Sequence, residues 1–138
     1  MRSTLIDAGP LIALFDKSDQ YHSLAIDFLR DYQGKFVTTW QVITEASHML
    51  SFSTKVQINL LEWINRGGLQ IFDIENYHLT RLIDLSEKFN DVPMDLADAS
   101  LIIASEATSI LEIASVDGDF YIYRDIRNRY LTNVFKLR

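Results

Sequence analysis

The sequence predicts an α/β sandwich built around a largely parallel β-sheet. Short apolar, β-branched runs alternate along the chain with segments of helical periodicity. This alternation is typical of parallel strands connected by helices that pack on the sheet. The chain has 138 residues, 48% of them hydrophobic, which is enough to bury one core without disulfides or structural metal. We therefore expect a single domain over residues 1–138.

The predicted strands and helices follow one another in chain order. Gly67 and Gly68 end one predicted helix, and residues 90–93 separate two others. The predicted strands are residues 5–6, 36–39, 69–74, 110–116 and 133–137. The predicted helices are residues 10–15, 21–32, 41–51, 55–65, 77–89 and 94–108.

Composition and charge exclude several classes of protein. The chain has no cysteine, so it has neither a disulfide framework nor a thiolate metal site. Its net charge of -6 argues against nonspecific coating of nucleic acid, which depends on Lys and Arg. The first apolar stretch is broken by Asp7, Gly9 and Pro10, so neither a signal peptide nor a membrane-spanning helix fits. We expect a soluble cytoplasmic protein.

The C-terminal end of the chain is basic, in contrast to the acidic remainder. One interpretation is a solvated helix or strand end, and the other is a strip that contacts RNA phosphates through Arg124, Arg127 and Arg129. From position 124 onward the charged residues are Arg124, Asp125, Arg127, Arg129, Lys136 and Arg138.

Two aspartates stand where predicted strands end. Asp7 follows the first strand, just before Gly9 and Pro10 open a helix, and Asp117 follows the strand over residues 110–116. In parallel sheets the ligand site lies beyond the carboxyl ends of the strands, so both carboxylates are expected at the same edge. The alternatives are that Asp7 caps the next helix and that Asp117 belongs to a turn.

Asp98 lies inside an apolar stripe of a predicted helix. The helix is apolar nearly all round, so the carboxylate has little access to water, and its alternative role is an ion pair with a buried arginine. Asp95 stands at the start of the same helix and is predicted to be a cap. The face of Asp98 carries Met94, Leu101 and Ile102, and the opposite face carries Leu96, Ile103 and Ala107.

Glu45 is the fourth candidate acid. On a helix it is flanked by Val42, Met49 and Phe52, which predicts a partly apolar face, although a surface position is the simpler alternative. Clustered carboxylates repel one another unless a cation lies among them, and oxygen ligands select hard ions such as Mg²⁺ or Mn²⁺. Such an ion activates water for phosphodiester hydrolysis without a Ser, Cys or His nucleophile.

These segments resemble the PIN domain family, most closely the single-domain bacterial and archaeal members that include the VapC-type toxin ribonucleases. The resemblance runs through "LIDAGPLIAL", "VITEASHML", "PMDLADASLI" and "ASVDGDF" and covers the whole chain. It implies a three-layer α/β/α sandwich with a mainly parallel five-stranded sheet, Mg²⁺- or Mn²⁺-dependent cleavage of single-stranded RNA, frequent homodimers, and often a small antitoxin partner. It assigns the metal-binding acids to Asp7, Glu45, Asp98 and Asp117, with Asp119 as an optional fifth.

The sequence departs from the family pattern at two positions. Many relatives carry Thr or Ser directly after the first acid, where this chain has Ala8, which removes a hydrogen bond that could support the metal site. They also carry Thr two residues before the fourth acid, where this chain keeps a hydroxyl on Ser115. All four acids are present, so the resemblance implies a competent site.

Two other functions compete with the nuclease hypothesis. Glu45 with His48, and Glu75 with His78, match the Glu-x-x-His spacing of di-iron carboxylate proteins, but those proteins are helical bundles and the strand pattern argues against that fold. The other alternative is a non-catalytic PIN-like module that binds RNA or protein. The intact acids argue against it.

Overall fold

The computed structural model describes residues 1–136 and contains a five-stranded sheet in the order β3-β2-β1-β4-β5. Every neighbouring pair of strands is parallel, so the predicted α/β fold is confirmed. The strands are β1 (Ser3–Ile6), β2 (Lys35–Thr39), β3 (Gln70–Phe72), β4 (Glu112–Ala114) and β5 (Thr132–Asn133).

All six predicted helices are present, with small changes at their ends. The segment predicted over 77–89 divides into a short 3-10 helix, Asn76–His78, and an α-helix, and a second 3-10 helix spans Gly118–Tyr121. The α-helices are α1 (Ala8–Phe15), α2 (His22–Asp31), α3 (Trp40–Met49), α4 (Thr54–Asn65), α5 (Leu79–Lys88) and α6 (Leu96–Thr108).

The last three strands are shorter than predicted. Strand β4 ends at Ala114 because the next residue, Ser115, donates its backbone N–H to the side chain of Asn133 rather than to a backbone carbonyl of β5. Strand β5 therefore pairs with β4 at only two positions. Leu137, at the end of the fifth predicted strand, and Arg138 lie outside the described residues.

Side-chain caps start several helices directly at the carboxyl ends of strands. Asp7 caps α1 immediately after β1, and Thr39, the last residue of β2, caps α3. These caps satisfy backbone N–H groups that have no partner inside the helix. Because no loop intervenes, the first turns of α1 and α3 lie at the carboxyl edge of the sheet.

Helix α6 is the most buried helix described. All of its residues from Ala97 to Ser105 are buried, as predicted, and it packs against α3 and β2. Leu96 and Ala107 were expected to cover the far side of the helix, but Leu96 is 58% exposed and Ala107 is exposed too, because they lie in the first and last turns. The hydroxyl of Ser100 hydrogen-bonds to the carbonyl of Ala97 and to Thr39, which joins α6 to the end of β2.

The sheet excludes the di-iron alternative, which requires a bundle of helices. Glu75 and His78 instead form a reciprocal cap, in which the Glu75 N–H donates to His78 Nδ1 at 2.9 Å. No helix within residues 1–136 is both long enough and apolar enough to cross a bilayer.

Candidate active site

Asp7 is buried at the carboxyl end of β1, with 7% of its surface exposed. Its Oδ1 accepts from the Ala8 N–H at 2.8 Å and its Oδ2 accepts from the Ser115 hydroxyl at 2.9 Å. Burial raises the pKa of Asp7 to about 6, and repulsion from Asp117 and Asp95 adds to this effect, while both hydrogen bonds oppose it. The carboxylate is therefore a helix cap and also part of an acidic cluster.

Asp117 is joined to Asp7 through Ser115. The Ser115 hydroxyl donates to Asp7 and accepts from the Asp117 N–H at 2.9 Å. The Asp117 side chain caps the 3-10 helix by accepting from the Asp119 N–H at 2.9 Å, so the alternative of a turn residue is also correct. The two strand-end acids therefore meet at one edge of the sheet, as predicted.

Asn133 fixes the backbone on which this bridge depends. Its Oδ1 accepts from the Ser115 N–H at 3.1 Å, and its Nδ2 donates to the Ser115 carbonyl at 2.9 Å. Sequence analysis did not identify this residue. The only signal was an amide side chain at the start of a mainly apolar predicted strand.

Asp98 faces the same cluster from the first turn of α6 and is also 7% exposed. Burial raises its pKa, and repulsion from Asp95 and Asp7 raises it further. Its Oδ2 lies 3.3 Å from the hydroxyl of the fully buried Tyr123, which donates to it. Sequence analysis missed Tyr123, because its position opposite α6 depends on the path of the segment after Asp117.

Asp95 is a helix cap, as predicted. Its Oδ1 accepts from the Asp98 N–H at 2.8 Å, and its own N–H lies 3.3 Å from Asp98 Oδ2. It also raises the pKa values of Asp7, Glu45 and Asp98 by charge repulsion. Asp95 therefore adds negative charge to the cluster as well as capping α6.

Glu45 reaches the cluster from α3, but the expected apolar face is wrong. Val42 is buried, whereas Met49 is 58% and Phe52 62% exposed, because α3 ends at Met49 and Phe52 lies beyond it. Glu45 itself is exposed. Partial burial of its carboxyl group raises the pKa of Glu45, and repulsion from Asp95, Asp7 and Asp117 adds to this effect.

Asp119 lies at the edge of the cluster. Partial burial raises its pKa, and the nearby Asp117 carboxylate adds to this effect. Its backbone N–H donates to Asp117 Oδ1 at 2.9 Å.

No acid of the cluster forms an ion pair within residues 1–136. Every ion pair of this part of the chain involves other acids, so Asp98 has no buried arginine partner. The candidate ligand atoms are all carboxylate oxygens, and no ion pair compensates their charges. They therefore fit a hard divalent cation such as Mg²⁺. No group of three or more acidic or histidine side chains in the described chain already has the geometry of a metal site.

The role of Ser115 can be tested by two substitutions. Ser115→Ala removes the hydroxyl between Asp7 and Asp117, and we expect it to weaken Mn²⁺ affinity about 10- to 100-fold, the usual effect of losing a group that orients a metal ligand. Ser115→Thr keeps the hydroxyl and is expected to bind Mn²⁺ like the wild type. Isothermal titration calorimetry measures both affinities. Equal Mn²⁺ affinity for the alanine variant and the wild type would contradict this role.

The three arginines predicted to contact RNA phosphates differ in their surroundings. Arg129 pairs with the buried Asp125 at 2.9 Å, and the Arg124 guanidinium donates to the carbonyls of Tyr121 and Tyr123. Arg127 is exposed. All three lie between the second 3-10 helix and β5, outside any helix or strand, so the alternative of a helix or strand end does not describe this segment.

Asp125 organises that segment. It is 3% exposed and accepts three hydrogen bonds, from the Arg127 N–H, the Arg129 N–H and Arg129 Nε. Burial alone would raise its pKa, but the hydrogen bonds and the charge of Arg129 outweigh it, so the pKa of Asp125 is lowered from its ordinary value of 3.8. The ionised form therefore stabilises the folded protein above that value.

Asp125→Asn is expected to reduce the free energy of unfolding by about 2 kcal/mol at neutral pH, since it removes hydrogen bonds to a charged acceptor. Because the folded-state pKa is lowered, the difference from the wild type is expected to shrink as the pH falls below 3.8. Urea unfolding over a pH series measures both values. A difference that stays constant across the series would contradict the assignment.

Comparisons with known proteins bear on the fold. No family model matches the sequence, and no curated protein matches it either. The structure is similar to VapC20 from Mycobacterium tuberculosis, a toxin that cleaves the sarcin-ricin loop, with a TM-score of 0.78. That match covers 86% of this chain and 93% of VapC20 at 13% identity. The chain has the PIN-domain fold of the VapC toxins.

A second VapC-type structure extends the match over nearly the whole chain. VapBC2 from Rickettsia felis, solved with a DNA fragment from its promoter, matches with a TM-score of 0.62 and 13% identity. The match covers 95% of this chain and 98% of that one. The resemblance to VapC-type proteins that the acidic segments predicted is therefore confirmed for the fold.

Proposed function

We propose that this chain is a Mg²⁺- or Mn²⁺-dependent endoribonuclease that hydrolyses phosphodiester bonds of single-stranded RNA. One observation carries the proposal: buried and half-buried carboxylates gather at the carboxyl edge of the sheet without a basic partner in residues 1–136. Burying uncompensated charge is unfavourable, so its presence indicates a ligand of opposite charge. The VapC fold supports the same activity.

In this proposal Asp7, Asp98 and Asp117 hold the ion, Glu45 contributes from α3, and Asp119 is an optional further ligand. A divalent ion held by these residues would provide an activated water and would stabilise the leaving oxygen. The surrounding hydrogen bonds orient the ligands. Ser115 fixes one oxygen of Asp7, and Tyr123 fixes one oxygen of Asp98.

The toxin of a type II toxin-antitoxin pair is the biological role that we propose for this nuclease. The likeness to VapC20 and to VapBC2 supports it. The expected partners are RNA, a small antitoxin protein and a second copy of the chain. We place this activity in the cytoplasm, where such a substrate and such an antitoxin occur together.

The test is a cleavage assay with end-labelled RNA. Wild-type protein is incubated with RNA in Mg²⁺, Mn²⁺ or EDTA, next to Asp98→Asn purified in the same way. We expect cleavage by the wild type with either metal, none in EDTA and none by the variant. The fragments should lack 2′,3′-cyclic phosphates, because water is the nucleophile. Equal cleavage by both proteins would identify a contaminating ribonuclease and contradict the proposal.

A non-catalytic PIN-like module that binds RNA or protein is the second candidate. It is favoured by the finding that no three acidic or histidine side chains in residues 1–136 form a ready-made metal site. The two functions differ in metal affinity. Calorimetric titration with Mn²⁺ at neutral pH should show binding by the wild type and weaker binding by Asp98→Asn if the chain is a nuclease. No heat of binding would favour the module.

A further inference from the structure

Two exposed tyrosines lie beside the acidic cluster. Tyr121 ends the 3-10 helix that begins directly after Asp117, and Tyr130 precedes β5. The two side chains are 55% and 51% exposed, so part of each residue is accessible to a ligand. Their ring centroids are 6.5 Å apart with planes inclined by 49°, so the rings form one continuous aromatic surface.

Arg124 holds this surface in place. One guanidinium nitrogen donates to the Tyr121 carbonyl at 2.6 Å and to the Tyr123 carbonyl at 3.0 Å. The guanidinium carbon lies 5.0 Å from the centre of the Tyr130 ring, a cation-π distance. The surface therefore combines two aromatic rings with a positive charge, in a chain whose net charge is -6.

The segment that carries the tyrosines is anchored at two further points. Asp125 binds the backbone of the following turn, and Glu106 on α6 accepts from the Ile126 N–H at 2.7 Å. Glu106 is itself held by two hydrogen bonds from Arg81. A surface fixed in this way loses little conformational entropy when it binds a ligand.

The aromatic surface borders a cavity that also contains a candidate ligand of the metal. The cavity has a volume of about 390 Å³ and is lined by Tyr121, Asp117 and Gly118 together with Lys136. Its volume lies in the range of small-molecule sites. A group stacked on Tyr121 therefore lies next to Asp117, and Lys136 provides a positive charge for a phosphate in the same space.

We propose that Tyr121, Tyr130 and Arg124 form a stacking platform for an unpaired base of the RNA substrate, next to the phosphodiester bond that is cleaved. This inference rests on the proposed nuclease function and names the part of the substrate that the site recognises. Single-stranded RNA is the occupant that the surface favours, since unpaired bases stack on aromatic rings and phosphates bind Lys and Arg. Stacking accepts any base, so the platform positions the strand without reading its sequence.

The test measures binding rather than cleavage. A labelled oligoribonucleotide of about 10 nucleotides, within the usual site size of single-strand binders, is compared with an abasic strand of the same length and charge. Fluorescence anisotropy in EDTA gives the dissociation constants of wild type, Tyr121→Ala, Tyr121→Trp and Tyr77→Ala. Tyr77 is a matched control. It is 78% exposed and follows β3, the outermost strand on the other side of the sheet from β5.

We expect Tyr121→Ala to weaken binding of the base-containing strand about tenfold, the effect of losing one stacked base. Its affinity for the abasic strand should equal that of the wild type, and Tyr121→Trp and Tyr77→Ala should bind like the wild type. The platform is overturned if Tyr121→Ala binds the base-containing strand normally, or weakens both strands equally. The platform is also overturned if Tyr121 becomes shielded from solvent when a protein partner binds but not when RNA binds.

The experiment separates failure of the platform from failure of the nuclease function. Binding is measured in EDTA, so it does not depend on cleavage. Base-dependent binding through Tyr121, together with no cleavage in Mg²⁺ or Mn²⁺, would retain the platform and contradict the nuclease proposal. Metal-dependent cleavage together with equal binding of the base-containing and abasic strands would support the nuclease proposal and contradict the platform.

Discussion

Asp7→Asn is expected to abolish RNA cleavage and, in the same protein, to stabilise the metal-free fold. In the proposed metal site Asp7 is a charged ligand, and its removal should reduce cleavage by at least about 100-fold, since loss of a supporting group alone weakens metal sites 10- to 100-fold. The stability gain has a different cause. The Asp7 carboxylate is 7% exposed among other acids without a cation, and Asn keeps an oxygen that accepts from the Ala8 N–H.

The size of the gain follows from the pKa of Asp7. A rise from 3.8 to about 6 means that the ionised carboxylate destabilises the metal-free fold by about 3 kcal/mol at neutral pH. The penalty develops as the pH rises from 3.8 through about 6, so the variant and the wild type should be equally stable at the acid end. Thermal unfolding in EDTA over a pH series measures this difference.

Two controls identify the cause of the change. Glu87→Gln makes the same isosteric change at an exposed carboxylate on α5 and should leave both cleavage and stability unchanged. In the proposed nuclease, Mg²⁺ should raise the Tm of the wild type but not that of Asp7→Asn, because the variant would lack a ligand of the ion. A lower Tm for Asp7→Asn in EDTA would mean that the carboxylate has a compensating partner, and would contradict the cluster.

The elements of the fold were predictable because their signals are local. Period-2 and period-3.6 patterns gave the order of strands and helices, and the carboxyl-edge rule placed Asp7 and Asp117 together. The rule works because every neighbouring strand pair is parallel, so strand ends converge at one edge of the sheet. Helix boundaries differed by one or two residues where a cap such as Asp95 set the start.

The supporting groups of the site were not predictable, because their contacts join distant parts of the chain. Tyr123 meets Asp98 across 25 residues, and Asn133 meets Ser115 across 18. Neither contact leaves a periodic pattern. The error at Glu45 has a related cause: the helical wheel extended α3 to Phe52, but the helix ends at Met49, and the apolar residues near its end remain exposed.

Gly9→Ala is expected to damage both the fold and the active site, although alanine is the better helix former. A Cβ atom at position 9 would lie 2.3 Å from Cγ2 of Val116, far inside contact distance. Val116 immediately precedes Asp117, so relieving the overlap moves the segment that carries Asp117 away from α1. Overpacking of this kind destabilises proteins by about 1–3 kcal/mol. Misplacing a reacting group by about 1 Å can reduce cleavage about 100-fold.

A compensating substitution tests this steric explanation. Val116→Ala removes both Cγ atoms and leaves only the Val116 Cβ contact, at 3.3 Å, so the double variant should recover most of the stability and cleavage lost in Gly9→Ala. Gly118→Ala is the matched control for stability, since a Cβ there has no neighbour within 4 Å. Recovery would show that α1 and the segment after β4 must approach as closely as glycine allows to bring Asp7 and Asp117 to one site. If the two effects simply add, the position of Asp117 does not depend on this contact.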